Sequence, residues 1–156
     1  MNEKMLIKNL YDLDKTIAKP LLEKLDYPWE ALHKIKDFII ELGKTLDPEI
    51  YEQRGENIWV AKSATVYPSA HLGGPLIICE DAEVRHCAFI RGCAIVGKGA
   101  VVGNSTELKN SILFDGVQVP HYNYIGDSIL GYKSHTGAGL SLIHISEPTR
   151  PISISY

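Results

Sequence analysis

An aliphatic residue returns at every sixth position through the middle of the chain, and this period limits the possible folds more than any other feature. The run holds for nine positions, and Phe114 adds a further apolar member at the same spacing. With about a quarter of residues aliphatic, a run of nine has a chance of roughly four in a million per frame, so the period is real. The nine residues are Val60, Val66, Leu72, Ile78, Val84, Ile90, Val96, Val102 and Leu108.

A column of small residues follows the aliphatic column at a constant offset of four positions. Its members are Ala64, Ala70, Ala82, Ala88, Ala94, Ala100 and Thr106. Three hexads of this kind make one triangular coil, and coils stack by parallel β pairing so that the aliphatic column is buried. The pattern predicts a mainly β fold, a parallel β-helix over residues 59–139.

Two interruptions of the repeat are expected. Leu76 stands where the second column should have a small residue, and Pro75 precedes it, which predicts a bulge or a small loop near Gly73 and Gly74. After Pro120 the register slips, because Ile125 and Leu130 are five positions apart rather than six.

The first part of the chain has a helical pattern instead. Apolar residues recur there at helical spacing, with breaks at Pro20 and Pro28, which predicts an N-terminal helical segment over residues 1–45. Residues 46–58 are expected to form a linker. The apolar residues concerned are Leu6, Leu10, Leu13, Ile17, Trp29, Leu32, Ile35, Phe38, Ile39 and Leu42.

The C-terminal stretch, LSLIHISEPTRPISISY, differs from the rest of the chain. LSLIHISEPTR back-translates into a transposon-end adapter of sequencing libraries, and residues 154–156 fit the adapter sequence that follows a sample index. We therefore expect residues 140–156 to be a non-native tail, with Gly139 as the last native residue and further coils encoded beyond it.

Composition excludes several classes of protein. A length of 156 residues fits one domain, and no apolar run is long enough for a membrane span or a secretory leader, which predicts a cytoplasmic protein. Sixteen basic and nineteen acidic residues are interspersed, so no basic surface for binding nucleic acid or an anionic membrane is expected. Three cysteines, an odd number, fit reduced thiols.

Arg91 and Lys109 are eighteen residues apart, which is one turn of a regular coil. Regular stacking would place them about one strand spacing, ~4.8 Å, apart on the same face. An anion such as phosphate between them would make that arrangement favourable. The alternative is a pair of solvated cations that relax away from each other.

His121 follows Pro120 at the point where the register is about to slip. A neutral imidazole can take a proton at cytoplasmic pH, so His121 is a candidate general base, or else a structural hydrogen-bonding residue. Tyr124 and Glu107 are likewise either functional residues or structural hydrogen-bonding residues. The six histidines include no close pair, so no metal site is expected. The glycines of GKGAVVGNS fall at repeat turns and do not form a nucleotide-binding loop.

The segments VGNSTELKNS and PHYNYIGDS are more specific than the hexads. With them, residues 58–139 resemble the acetyltransferase half of bacterial and archaeal sugar-1-phosphate nucleotidyltransferase/acetyltransferases, such as the glucosamine-1-phosphate N-acetyltransferases. The resemblance implies a left-handed β-helix, a homotrimer with sites between subunits, and acetyl-CoA as cosubstrate. The implied activity is acetylation of an amino-sugar 1-phosphate in nucleotide-sugar biosynthesis.

The resemblance also implies roles for single residues. His121 corresponds to the base that deprotonates the substrate amine, and Tyr124 to a sugar-binding tyrosine. Arg91 and Lys109 correspond to ligands of the sugar phosphate, and Glu107 has a supporting place. His135 stands where the family has an asparagine that contacts the sugar, and an imidazole cannot reproduce both the donor and the acceptor of an amide.

The resemblance also bears on the activity of this chain, and two alternatives to the enzyme remain open. The family places its acetyl-CoA contacts in later coils, so this chain is expected to be inactive even if its parent is an acyltransferase. The alternative is a non-catalytic trimeric β-helix that binds a sugar phosphate or a nucleotide sugar. A metal-dependent lyase would require zinc that copurifies.

Overall fold

The computed structural model describes residues 2–143, and the first part of this range is helical. Three short α-helices alternate with three turns of 3₁₀-helix, because proline residues and extended residues such as Tyr11 and Thr16 interrupt the helical pattern. The helical segment is therefore more fragmented than its apolar spacing suggests. The α-helices are α1 (Ile7–Leu10), α2 (Lys19–Leu22) and α3 (Ile35–Gly43), and the 3₁₀-helices are Glu3–Met5, Leu13–Lys15 and Pro28–Ala31.

The remaining elements are short strands. Tyr51–Gly55 lies within the expected linker and forms an antiparallel hairpin with the first strand of the repeat. The strands are β1 (Tyr51–Gly55), β2 (Ile58–Ala61), β3 (Thr65–Val66), β4 (His71–Leu72), β5 (Leu76–Ile78), β6 (Glu83–Val84), β7 (Phe89–Val96), β8 (Val101–Asn104), β9 (Glu107–Leu113), β10 (Gln118–His121), β11 (Tyr124–Leu130) and β12 (Ser141–Leu142).

After the hairpin the strands wind into about five coils with three faces. The first face consists of β2, β5 and the C-terminal halves of β7, β9 and β11. The second face consists of β3, β6, β8 and β10, paired in parallel. The third face consists of β4, the N-terminal halves of β7, β9 and β11, and β12. The predicted fold class, a left-handed parallel β-helix preceded by short α-helices, is confirmed.

The coils shorten by one residue along the axis. Ile77 pairs with Ile95, eighteen positions later, but Ile95 pairs with Ile112 after only seventeen. The slip expected after Pro120 is present, and an earlier slip precedes it: Leu113, and not Phe114, pairs with Val96. Phe114 is also buried, so its place in the sequence pattern concealed the first slip.

The predicted interruption at Gly73 and Gly74 is a turn between β4 and β5. It lies close to the next coil, because a Cβ atom on Gly92 would come within 2.5 Å of the Gly74 carbonyl oxygen. Gly92 has a φ of +126°, a conformation that side chains other than hydrogen rarely permit. The turn is therefore accommodated by a bulge in β7 next to Gly92.

The aliphatic column forms the core. Its members are fully buried except Val66 and Leu72, which lie in the first coil and are only partly buried. The N-terminal helices cover the first face, where Ile35 and Ile39 of α3 are fully buried. The Tyr11 hydroxyl donates to the Ile129 carbonyl at 3.0 Å. The strands that α3 contacts, β5, β7 and β9, all contribute to this first face.

Several other expectations concern the remainder of the described chain. No helix within residues 2–143 is long and apolar enough to cross a membrane. Cys79 is buried, Cys87 exposed and Cys93 partly buried, all as free thiols. Of the expected non-native tail, Ser141 and Leu142 pair with β11 as β12, whereas residues 144–156 lie outside the described range.

Candidate functional site

His121 ends strand β10, at the corner where the second face turns into the third. His121 is exposed to solvent, and within residues 2–143 its imidazole takes part in no hydrogen bond. Its backbone is fixed on both sides, because the N–H donates to Asn123 Oδ1 at 3.3 Å and the carbonyl accepts from the Gly139 N–H at 3.1 Å. An exposed imidazole on a fixed backbone is suited to proton transfer with a ligand.

The neighbouring coil approaches this corner very closely. A Cβ atom on Gly103 would lie 1.7 Å from the carbonyl oxygen of Pro120, the residue before His121. Gly103 is therefore required by the packing of β8 against β10, and it sets the height of His121 above the preceding coil.

Tyr124 begins β11 on the third face and pairs with Glu107 in the preceding coil. Its ring lies along the face rather than away from it, because a Cβ atom on Gly126 would come within 2.4 Å of the Tyr124 hydroxyl oxygen. Glu107 in turn pairs with Phe89, which is 42% exposed. A ligand on this face would meet an aromatic side chain on either side of Glu107.

The expected stacking of Arg91 directly over Lys109 is wrong. Lys109 pairs with Gly92, and Arg91 is the additional residue of the bulge in β7. Each cation has a carboxylate partner instead: Arg91 Nη1 lies 3.0 Å from Glu107 Oε2, and Lys109 Nζ lies 3.4 Å from Asp127 Oδ2. Cations and carboxylates therefore alternate along the third face.

These ion pairs remain partly open to solvent. The Arg91 side chain is 46% exposed and the Lys109 side chain 38% exposed. Pairs of this kind contribute only about 0–1 kcal/mol, because water screens the charges and two long side chains lose freedom. A phosphate dianion can replace a carboxylate on such a cation at small cost.

His135 lies elsewhere on the chain. It forms a bridge with Gln118 at the start of β10, three residues before His121, which corresponds to about 10 Å along a strand. It lines a cavity of about 380 Å³ together with Gly99, Gly116, Gln118 and Lys133. Within one chain the structure brings Arg91, Glu107, Lys109 and Tyr124 onto one face with His121 at its edge, and it places His135 at the far edge of the second face.

The sequence pattern did not reveal two residues of this region. Asp127 accepts hydrogen bonds from both Lys109 and Asn110, and Asn123 is a buried amide two residues after the candidate base. Asp127 could have been found from the seventeen-residue coils, since Asn110 and Asp127 occupy the same corner with φ near +46°. Asn123 carried no signal beyond its place between two aromatic residues.

A separate cluster of titratable groups lies near the first face. Burial raises the pKa of the Cys79 thiol to about 12, which keeps it protonated and unreactive. Burial also raises the pKa of Tyr51, whose hydroxyl donates to Glu80. In Glu80 the effect of burial is outweighed by hydrogen bonds, including that from Tyr51, and its pKa is lowered. Within the described range no three His, Cys, Asp or Glu side chains are grouped so as to hold a metal ion.

Comparisons with known proteins show which proteins this chain is similar to. Residues 72–146 match the family model of the GMPPB C-terminal domain. The Bifunctional protein GlmU of Zymomonas mobilis is 34% identical over 101 residues, which cover 64% of this chain and 22% of the relative. The Bifunctional protein GlmU of Methanococcus maripaludis is 31% identical over 51 residues, which cover 33% of this chain and 12% of the relative. This chain thus spans less than a quarter of the length of these relatives.

Among solved structures, this chain is similar to the acetyltransferase domain of PglB from Neisseria gonorrhoeae FA1090. It is 20% identical, with a TM-score of 0.47, over 60% of this chain and 53% of that chain. Together with the hexad columns, the sequence matches confirm the resemblance that the motifs indicated: this chain carries a hexapeptide-repeat β-helix that resembles the acetyltransferase domain of the GlmU proteins.

Proposed function

We propose that this β-helix is the acceptor-binding part of an N-acetyltransferase that uses acetyl-CoA and an amino-sugar 1-phosphate of the glucosamine 1-phosphate type. One observation carries the proposal: two basic side chains and a tyrosine share the third face with an exposed histidine at its edge. The similarity to GlmU proteins and to the GMPPB C-terminal domain supports a place in nucleotide-sugar metabolism.

In the proposed reaction His121 acts as the general base. Its neutral imidazole takes a proton from the amine of the sugar, and the amine nitrogen then forms a bond to the thioester carbonyl carbon of acetyl-CoA. The tetrahedral intermediate collapses with cleavage of the carbon–sulfur bond. The departing thiolate takes up a proton, which the imidazolium can supply, so that His121 returns to its neutral form.

The phosphate of the acceptor binds Arg91 and Lys109 in this proposal. A guanidinium and an ammonium both donate charge-assisted hydrogen bonds to phosphate oxygens, and they release Glu107 and Asp127 in exchange. Tyr124 lies flat on the same face, where its ring and hydroxyl can contact the sugar. Glu107 has a supporting place between Arg91 and Tyr124, where it holds Arg91 until the phosphate displaces it.

We further propose that the protein acts in the cytoplasm as a homotrimer. The N-terminal helices cover the first face, so copies of the chain would associate through the second and third faces. Such an arrangement offers a way for His135 of one copy to approach His121 of another, which a single chain does not provide.

A second candidate function is non-catalytic binding of a sugar phosphate or nucleotide sugar by a trimeric β-helix. It is favoured by the location of all acceptor residues within the described coils, whereas the family resemblance places the cosubstrate contacts in later coils. It differs from the first candidate in one observable, the release of coenzyme A.

The test combines binding with turnover. Glucosamine 1-phosphate is titrated into the protein by calorimetry at low ionic strength. Thiol release from acetyl-CoA is followed in parallel with the chain extended beyond Gly139 by the later coils in which the resemblance places the acetyl-CoA contacts. Lys109→Gln is expected to weaken binding about tenfold or more, since hydrogen bonds to charged groups contribute about 1.5–3 kcal/mol. Arg85→Gln is the matched control, because Arg85 forms a similar ion pair with Glu83 on the second face.

His121→Ala is expected to abolish thiol release without weakening sugar-phosphate binding. His86→Ala is its control, since His86 is an exposed histidine between the second and third faces of an earlier coil. Binding that depends on Lys109 without any thiol release would support the second candidate. Absence of both binding and release in a folded protein would overturn the two candidates together.

A further inference from the structure

We propose that Asn123 is a positioning residue that fixes the directions of His121 and Tyr124. The inference rests on the proposed function, because it assigns Asn123 a role toward the candidate base and the candidate sugar ligand. Asn123 lies between these two residues and is only 3% exposed, while its neighbour Tyr122 is 66% exposed. It is thus the inward-facing side chain of the corner that presents both groups.

The Asn123 side chain uses both ends of its amide. Oδ1 accepts the His121 backbone N–H at 3.3 Å and the Thr136 hydroxyl at 3.0 Å. Nδ2 donates to the Gly137 carbonyl at 2.6 Å and is 3.4 Å from the Leu140 carbonyl. One buried side chain therefore connects the backbone of the candidate base to the following coil.

The Asn123 backbone is held by the preceding coil. Its N–H donates to the Thr106 hydroxyl at 3.3 Å, and its carbonyl accepts the Glu107 N–H at 2.8 Å. The corner between His121 and Tyr124 is thereby fixed from above and below. Side chain and backbone of a single residue meet two adjacent coils, which makes the corner rigid.

These hydrogen bonds hold in place a backbone that is strained at Tyr122. Tyr122 has a φ of +48°, a left-handed conformation that residues with a Cβ atom seldom adopt. Without the Asn123 amide, Tyr122 can relax and rotate the attachment points of His121 and Tyr124. A displacement of about 1 Å at a reacting group can reduce a rate by about a hundredfold.

Amide hydrogen exchange tests this role by a measurement that does not require catalytic activity. In Asn123→Ala we expect the His121 N–H, which loses its acceptor, to exchange at least about tenfold faster, while the amides of β8 keep their rates. Ser134→Ala is the matched control, because Ser134 is a 2%-exposed polar residue in the same coil as Thr136 that donates to the Gly131 carbonyl. Unchanged His121 exchange in folded Asn123→Ala would overturn the inference.

Kinetics separate positioning from general destabilisation. We expect Asn123→Ala to lower kcat about ten- to a hundredfold with KM for the amino sugar within about threefold, and Ser134→Ala to lower neither. Thr136→Val, which removes the hydroxyl that orients Asn123, should lower kcat less and should add nothing to Asn123→Ala. Equal effects of Asn123→Ala and Ser134→Ala on kcat would contradict the positioning role.

The hydrogen-exchange and kinetic experiments together also separate this inference from the proposed function. If the wild-type protein extended by the later coils releases no thiol, the proposed acetyl transfer fails, and hydrogen exchange alone decides whether Asn123 fixes His121. If the wild-type protein is active and exchange at His121 does not respond to Asn123→Ala, the positioning inference fails while the proposed function stands.

Discussion

The carboxylate of Glu107 competes with a ligand phosphate for Arg91, and its removal should therefore tighten phosphate binding. Arg91 Nη1 and Glu107 Oε2 are 3.0 Å apart, with side chains 46% and 33% exposed. An ion pair this open contributes about 0.2–1 kcal/mol. Because this free energy must be given up when Arg91 turns to a phosphate, Glu107→Gln is expected to lower Kd by a factor of roughly 1.4 to 5.

The assay is calorimetric titration of glucosamine 1-phosphate into Glu107→Gln at low ionic strength. Addition of salt should reduce the difference in Kd from wild type, because salt screens both the ion pair and the phosphate contact. The screening length is about 10 Å at 0.1 M salt. The matched control is Glu83→Gln, which removes the carboxylate from an ion pair on the second face with side chains 34% and 33% exposed. This control should leave Kd unchanged.

Weaker binding by Glu107→Gln, with Glu83→Gln unchanged, would refute the reasoning. It would mean that Glu107 contacts the sugar directly and contributes more to binding than its competition for Arg91 costs. An equal increase in affinity in both variants would also refute it, because the effect would then follow net charge and not the exchange of partners at Arg91.

Three other perturbations follow from the packing and the buried thiol. Leu108→Ala should lower the free energy of unfolding by about 2–5 kcal/mol in urea titrations, because Leu108 is fully buried, whereas Leu72→Ala in the first coil should cost clearly less. Gly103→Ala should cost at least about 1–3 kcal/mol, since its Cβ atom would lie 1.7 Å from the Pro120 carbonyl oxygen, and Gly55→Ala, with its nearest atom at 3.2 Å, should cost less. Burial raises the pKa of Cys79 from 9.0 to about 12, so the unfolded state releases this proton first and stability falls as the pH rises between these values. Cys79→Ala should reduce that slope by up to about 1.4 kcal/mol per pH unit, and an unchanged slope would show that the thiol is not responsible.

The sequence was sufficient to predict the β-helix because its core depends on one repeated interaction. Every sixth side chain enters the same aliphatic column, so the spacing is visible without knowledge of distant contacts. The faces, the buried column and the turn near Gly73 follow from it. The fragmentation of the N-terminal helices was less predictable, because those short helices are stabilised by packing on the first face rather than by their own propensity.

For the candidate site, the residue roles remain predictions, and the one geometric expectation, Arg91 stacked over Lys109, was wrong. His121 and Tyr124 were identified from their motif, and the structure places them at one corner with Asn123 between them. The partners of Arg91 and Lys109 were missed, because the pairing depends on coil length, and Phe114 concealed the change from eighteen to seventeen residues. Buried hydrogen bonds such as those of Asn123 have no periodic signal.

The change in coil length also accounts for the character of the third face. If every coil had eighteen residues, Arg91 and Lys109 would lie in register and repel each other. The shorter coils place Gly92 opposite Lys109 and leave Arg91 in a bulge, a device that turns a side chain away from its regular direction. Arg91 can then reach Glu107, and Lys109 can reach Asp127 in the next coil. The one-residue difference thus converts a repulsive stack into alternating charges, which keeps both cations on the surface and available for exchange with a phosphate.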